Sequence, residues 1–142
     1  MAARPPITCH ILDTTKGRPA AGVTCSIFYL GEPESVTQTD NVRPFAMGKT
    51  NEDGRVTEWV PNPGNTSELN SQLGIKLGRW LSLSPGVYKI SFLTGQYFVR
   101  SGLENRTFFP FVDVHFTVDS TTEHYHIPLL LSNFSYTTYR GS

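Results

Sequence analysis

Almost every regular run of apolar residues in this chain repeats with a period of two, and that alone removes most folds from consideration. In Phe111 to Val118, the side chains of Val112, Val114, Phe116 and Val118 fall on one side, and those of Asp113, His115 and Thr117 on the other. Successive strand side chains point to opposite faces of a sheet, so this alternation marks a strand with one buried and one wet face. Ile7 to Asp13 repeats it, with Ile7, Cys9 and Ile11 inward and Thr8, His10 and Leu12 outward. So does Val87 to Leu93, where Tyr88, Ile90 and Phe92 oppose Lys89 and Ser91. Val23 to Leu30 carries the β-branched and aromatic residues of a further strand.

Punctuation between these runs is dense. Gly17 to Gly22 is loop chemistry, and Gly31 to Asn41 is polar and irregular with Pro33 inside it. The Asp53-Gly54 step predicts a hairpin. Gln96 to Ser101 predicts one short helical turn. No long amphipathic helix competes with the strands, so the fold class is all-β, an antiparallel two-sheet β-sandwich with one short helix. Residues 61–85 fit that picture least. Leu73, Leu77, Trp80 and Leu81 have helical spacing, but Gly74 and Gly78 each weaken a helix by about 1 kcal/mol, and the stretch is expected to be an elaborated loop.

The 142 residues suit a single domain spanning 1–142, large enough to hold a core without disulfide or metal. Twelve Lys+Arg against twelve Asp+Glu give zero formal net charge, which leaves no electrostatic footprint for nucleic acid or an anionic membrane. There is no apolar run of bilayer length, no basic-then-apolar leader and no Ser-Lys-Leu ending, so a cytoplasmic protein is expected. Cys9 and Cys25 are expected to be reduced and buried.

The candidate chemistry gathers late in the chain. Read as a strand, the segment from His124 to Leu131 places His124, His126, Pro128 and Leu130 on one face and Tyr125, Ile127 and Leu129 on the other. Pro128, which lacks a backbone donor, predicts an edge strand or a bulge. One outward histidine is commonly just a solvent-facing residue. His10 and His126 on the outer faces of two strands, with Arg55 after a tight turn and Arg140 in the tail, point instead to a site. His124, two residues from His126, reads first as a surface histidine and second as a partner for His126, whereas His115 beside Asp113 reads as surface. Imidazole titrates near neutral pH, and guanidinium forks grip planar, oxygen-rich anions. The set therefore suits proton transfer on a small anionic substrate. A three-histidine zinc site built on His10, His124 and His126 is the metal alternative. A Cys9/His10 nucleophile fails, since neighbouring strand residues point to opposite faces.

The ordered motifs His10-Ile11-Leu12-Asp13-Thr14, Gly17-Arg18-Pro19-Ala20, Asp53-Gly54-Arg55, Pro85-Gly86-Val87-Tyr88, Phe108-Phe109-Pro110, His124-Tyr125-His126-Ile127-Pro128-Leu129-Leu130-Leu131-Ser132 and Tyr139-Arg140-Gly141-Ser142 cover almost the whole chain. In these the chain resembles the transthyretin-like 5-hydroxyisourate hydrolases, whose Tyr-Arg-Gly-Ser ending separates them from the hormone-carrying transthyretins. The resemblance implies a transthyretin-like sandwich assembled as a homotetramer, a dimer of dimers with sites along the channel between dimers. It implies cofactor-independent hydrolysis of 5-hydroxyisourate to 2-oxo-4-hydroxy-4-carboxy-5-ureidoimidazoline in urate degradation, which is often peroxisomal. Carried onto this sequence, the catalytic residues would be His10, Arg55, His126 and Ser142, and the substrate-binding residues His10, Arg55, Tyr139 and Arg140, with no metal. The rival within the same fold is a transthyretin-type carrier of a small ligand.

Overall fold

The computed structural model describes residues 4–36, 42–102 and 106–142. The expected loop from Gly31 to Asn41 is therefore met only as far as residue 36, and its remainder lies outside the described residues.

The alternating segments form the strands they predict. Strands β1 (Ile7–Asp13), β9 (Gly86–Phe92) and β10 (Val112–Val118) run with β3 (Thr24–Gly31) and β11 (Tyr125–Leu131) as the long elements. Shorter strands are β2 (Arg18–Pro19), β4 (Ala46–Lys49), β5 (Arg55–Val56), β6 (Val60–Pro61), β7 (Ile75–Lys76), β8 (Arg79–Trp80) and β12 (Tyr136–Thr138). One sheet has the order β12-β11-β1-β2, with β5 also paired to β1, and the other the order β10-β9-β3-β4-β6. Ile7, Cys9 and Ile11 of β1 and Ile127 and Leu129 of β11 are buried, as are Cys25, Ile27, Ile90 and Phe92 of the other sheet. Each large aliphatic or aromatic side chain so buried contributes about 1.5–3 kcal/mol. Both cysteines are free and buried, and among the described residues no helix is long and apolar enough to cross a membrane.

Four expectations change. The pair at the centre of the first sheet, β1 with β11, is parallel, from Ile7↔Tyr125 to Asp13↔Leu131, within an otherwise antiparallel sandwich. More than a hundred residues separate these strands, ample for the crossover that a parallel pair requires. Pro128 lies in an interior strand, between β1 and β12. Its carbonyl faces the β12 side, accepting from the Thr138 hydroxyl at 2.7 Å. The missing N–H falls on that same side, where the paired part of β12 has ended.

The Asp53-Gly54 step does not join two paired strands. β4 pairs with β3 and β6, and β5 pairs with β1, so the turn carries the chain from one sheet to the other. Finally, residues 61–85 hold helix α1 (Ser67–Leu73) and the β7–β8 hairpin, so the structure has two short helices with α2 (Thr94–Ser101). Gly74, a weakness in a longer helix, ends α1 in the left-handed conformation at φ 81°. Trp80 then folds back, its indole N–H donating to the Leu73 carbonyl at 2.9 Å and its ring 5.1 Å from that of Phe45.

Candidate functional site

Strand pairing gathers the outward polar residues. In the parallel register Thr8 lies opposite His126, and in the antiparallel register on the other side of β1 His10 lies opposite Arg55. Arg55 reaches that position through its turn. The Asn51 carboxamide oxygen accepts from the Asp53 and Arg55 backbone N–H groups at 2.9 and 3.1 Å. Gly54 adopts φ +74°, and its carbonyl accepts from Ile11 N at 2.8 Å. A Cβ at Gly54 would stand 2.5 Å from the Ile11 carbonyl oxygen, so only glycine lets this turn dock on β1.

The two histidines flanking Tyr125 converge on one hydroxyl. Thr8 Oγ1 is 2.8 Å from His124 Nε2 and 2.7 Å from His126 Nδ1. The His10 and His126 rings lie 6.4 Å apart between centroids, inclined by 25°. Beside them is a cleft of about 220 Å³ whose walls include Arg4, Thr8, Arg55, His124, His126 and Ser142. His10 borders this cleft without lining it. Thr8 and Arg4 escaped the sequence reading. The signal for Thr8 was present, since it sits two residues before His10 on the same strand face; Arg4 precedes any periodic segment and left none.

All three imidazoles are held below the ordinary histidine pKa. For His10, burial acts first and Arg55 second, opposed by the Asp53 backbone and carboxylate. For His126, burial is followed by Arg55, His10, His124 and Arg4, all disfavouring a second positive charge. For His124 the causes are burial and Arg4. The site therefore offers neutral imidazoles, able to accept protons, beside fixed guanidinium groups.

The tail divides between the two faces of the sheet. β12 pairs with β11 from Leu131↔Tyr136 to Leu129↔Thr138, and the bridge His126↔Gly141 keeps the same register. Tyr139 and Gly141 thus take outer-face positions with His126, and Arg140 takes an inner one. Its guanidinium lies 4.4 Å from the centre of the Tyr125 ring and 3.5 Å from Glu123 Oε1, and donates to the His124 carbonyl at 3.5 Å. Arg140 does not line the cleft between Arg55 and His126. With Tyr139 and His126 it lines a second cleft, of about 270 Å³, between β10 and β11. Of the six predicted residues, the structure brings Arg55, His126 and Ser142 to one cleft with His10 at its border. Tyr139 and Arg140 lie outside that cleft and meet His126 in the second one.

The family model described as the HIUase/Transthyretin family matches residues 7–141. The chain belongs to the HIUase/transthyretin family. Within that family it is 37% identical over 148 residues to a probable 5-hydroxyisourate hydrolase of Schizosaccharomyces pombe, the match covering 100% of both chains. The structure of Klebsiella pneumoniae 5-hydroxyisourate hydrolase superposes with a TM-score of 0.62 at 25% identity, covering 96% of this chain and 92% of that one. Sea bream transthyretin in complex with thyroxine gives 0.67 at 26% identity, covering 96% and 94%. The same sandwich is thus shared by a 5-hydroxyisourate hydrolase and by a transthyretin in complex with thyroxine, and the backbone does not separate them.

Proposed function

We propose that residues 1–142 act as one hydrolase domain that opens the ring of 5-hydroxyisourate by water, without a cofactor, giving 2-oxo-4-hydroxy-4-carboxy-5-ureidoimidazoline in urate degradation. The observation that carries this reading is the meeting of Arg55 and His126 at one cleft, with His10 at its edge, on an outer sheet face. The end-to-end likeness to the probable 5-hydroxyisourate hydrolase of Schizosaccharomyces pombe favours it over a transthyretin-type carrier. A zinc hydrolase on His10, His124 and His126 is disfavoured by geometry: among the described residues no three His, Cys, Asp or Glu side chains gather as ligands would.

In this reading His126, neutral near operating pH, deprotonates a water that attacks a ring carbonyl. His10 positions that water or protonates the departing ring nitrogen. Arg55 binds the substrate's oxygens and offsets negative charge as the tetrahedral centre forms, a role worth about 3 kcal/mol per donor. Ser142 and Tyr139 shape the pocket. Arg140, packed on Tyr125 and Glu123, serves by anchoring the tail.

The finer statements concern assembly and place. A polar site on an outer face makes sense if a facing copy closes it, and we read the enzyme as a homotetramer, a dimer of dimers. Exposed Phe108, Phe134, Tyr136 and Tyr139 near the β12 edge support this. Sedimentation at four times the 15.8 kDa chain mass is expected, and a monomer at assay concentration would refute it. The cytoplasm is the compartment favoured, the peroxisome the other, and fractionation separates them. The decisive test is absorbance decay of freshly oxidised urate. The protein should accelerate loss of the hydroxyisourate intermediate, before and after exhaustive chelation, and His126→Ala should lose most turnover while keeping its assembly.

A further inference from the structure

The least expected arrangement in the molecule is the hydroxyl shared by two histidines. Thr8 Oγ1 makes both contacts from a different strand, at 2.7 Å to His126 Nδ1 and 2.8 Å to His124 Nε2. The parallel register that aligns Thr8 with His126 fixes the first; the start of β11 fixes the second. A hydroxyl has one proton, so between two neutral imidazoles it donates to one ring and accepts from the other, or accepts from both. Which nitrogen of a histidine bears the proton is set by the bond that the other nitrogen makes.

We propose that Thr8 is a positioning residue that holds His126 in the tautomer protonated on Nδ1, and that Thr8 and His124 together form the path by which the proton taken from water leaves. This rests on the hydrolase reading above. In the resting chain, His126 Nδ1–H donates to Thr8 Oγ1, and Thr8 O–H donates to His124 Nε2. His126 Nε2 is then bare and basic. When Nε2 takes a proton from the attacking water, a water O–H bond breaks and an N–H bond forms. The Nδ1 proton then moves to Thr8 Oγ1 as the Thr8 proton moves to His124 Nε2. His126 returns to neutrality with its proton on Nε2, ready to be given up, and the positive charge rests on His124. His124 is only half-buried and can exchange that proton with solvent.

The surroundings favour moving the charge outward. Arg55 from β5 and His10 from β1 face His126, Arg4 lies ahead of β1 near both histidines, and the Asp53 carboxylate faces His10. A charge left on His126 would meet both guanidinium groups, whereas on His124 the opposing group is Arg4. Thr8 needs no large side chain for this work; a valine has nearly its shape and lacks the hydroxyl.

The test uses the full chain with Thr8→Val, Thr8→Ser and His124→Phe. In 15N-labelled protein, histidine nitrogen shifts at neutral pH should show His126 mainly protonated on Nδ1. That population should be lost in Thr8→Val and kept in Thr8→Ser. In the assay on 5-hydroxyisourate, Thr8→Val and His124→Phe should each lower kcat roughly ten- to hundred-fold. KM should change less than kcat, since both groups act on the reaction through His126 even though they stand in the cleft wall. Thr8→Ser should restore most of the loss. The pH at which kcat/KM reaches half its plateau should also differ between Thr8→Val and the parent, which loss of packing alone would not produce. His126 protonated on Nε2 in the parent protein, or unaltered kcat in Thr8→Val, would overturn the proposal. A parent protein inactive on 5-hydroxyisourate would sink the hydrolase reading separately, and the nitrogen shifts would still decide the tautomer.

Discussion

Gly141→Ala tests how far activity depends on the tail lying flat against β11. Gly141 bridges His126, its N–H donating to the His126 carbonyl at 2.8 Å. A Cβ there would stand 2.7 Å from His126 Cδ2, 2.9 Å from Pro128 Cγ and 3.1 Å from Pro128 Cδ. Ordinary contact begins near 3.4 Å, so relief demands a shift of at least 3.4 − 2.7, or about 0.7 Å. The proline ring is rigid, and the histidine is held at Nδ1 by Thr8, so the tail must move. Lifting it forfeits one hydrogen bond, about 0.5–1.5 kcal/mol, and little apolar burial, because Tyr139 and Arg140 are exposed. Stability to urea should therefore fall by less than about 2 kcal/mol. Ser142 would be displaced from the cleft and the His126 ring pressed out of line. Misplacement on the order of 1 Å in a reacting group can cost about a hundred-fold. The expected result is a kcat/KM for 5-hydroxyisourate lowered at least ten-fold in a protein that unfolds almost like the parent. An alanine variant with parental kcat/KM would show that the tail's seat against His126 and Pro128 is irrelevant to turnover.

Three other perturbations follow from single contacts. Tyr97→Phe removes the hydroxyl that donates to the buried Asp13 Oδ2 at 2.6 Å, and should cost about 1.5–3 kcal/mol in urea unfolding with kcat little changed. The same phenol is pushed up to about 12, by burial first and then by Asp13. Its folded value thus lies above the unfolded one, stability should decline as pH rises from 10 toward 12, and the decline should be shallower in Tyr97→Phe. Trp80→Phe should cost about 1–3 kcal/mol by leaving the Leu73 carbonyl unpaired, and Trp80→Ala about 3–5 kcal/mol by opening a cavity beside Phe45; thermal melts will rank them. Arg55→Gln removes a cation that disfavours the imidazolium of His10 and His126, so both rings should titrate at higher pH than in the parent, closer to 6.5. Proton NMR titration reads this even where turnover is lost, and an unmoved or lowered midpoint would contradict the assigned cause.

Much of the architecture was legible because it rests on alternation. Ile7, Cys9 and Ile11 are buried and Thr8, His10 and Leu12 lie half-exposed, as period two requires. What stayed hidden was pairing. Nothing local in Asp53-Gly54 says whether the strands it links share a sheet; that depends on which distant ladder each one joins. The missing donor of Pro128 by itself predicts an edge strand or a bulge. Whether that vacancy harms a strand depends on which side it faces and where the neighbour ends. The glycines at 74 and 78 argue against one long helix, and they do forbid it. They do not forbid a short helix and a hairpin, with Gly74 as the helix stop and Gly78 in the turn at φ +74°.

The site shows the same division between what a face assignment settles and what a register settles. Alternation was enough to put His10 and His126 outward, but their common cleft depends on β1 and β11 being parallel and in step. A one-residue slip would put Thr8 opposite Ile127 and break the contact with His126. Arg140 is the clearest case. As a neighbour of Tyr139 and Ser142 in sequence it invites a place in the same pocket, and in a flexible tail it could have one. Once Gly141 pairs with His126, though, the tail is a strand in register, and adjacent residues must part. Arg140 then has only the inner side to occupy, where the Tyr125 ring and Glu123 receive its charge. The bridge that lays Gly141 against His126 is therefore what takes Arg140 away from that face, while Ser142, the residue past the bridge, reaches the cleft as the chain's end.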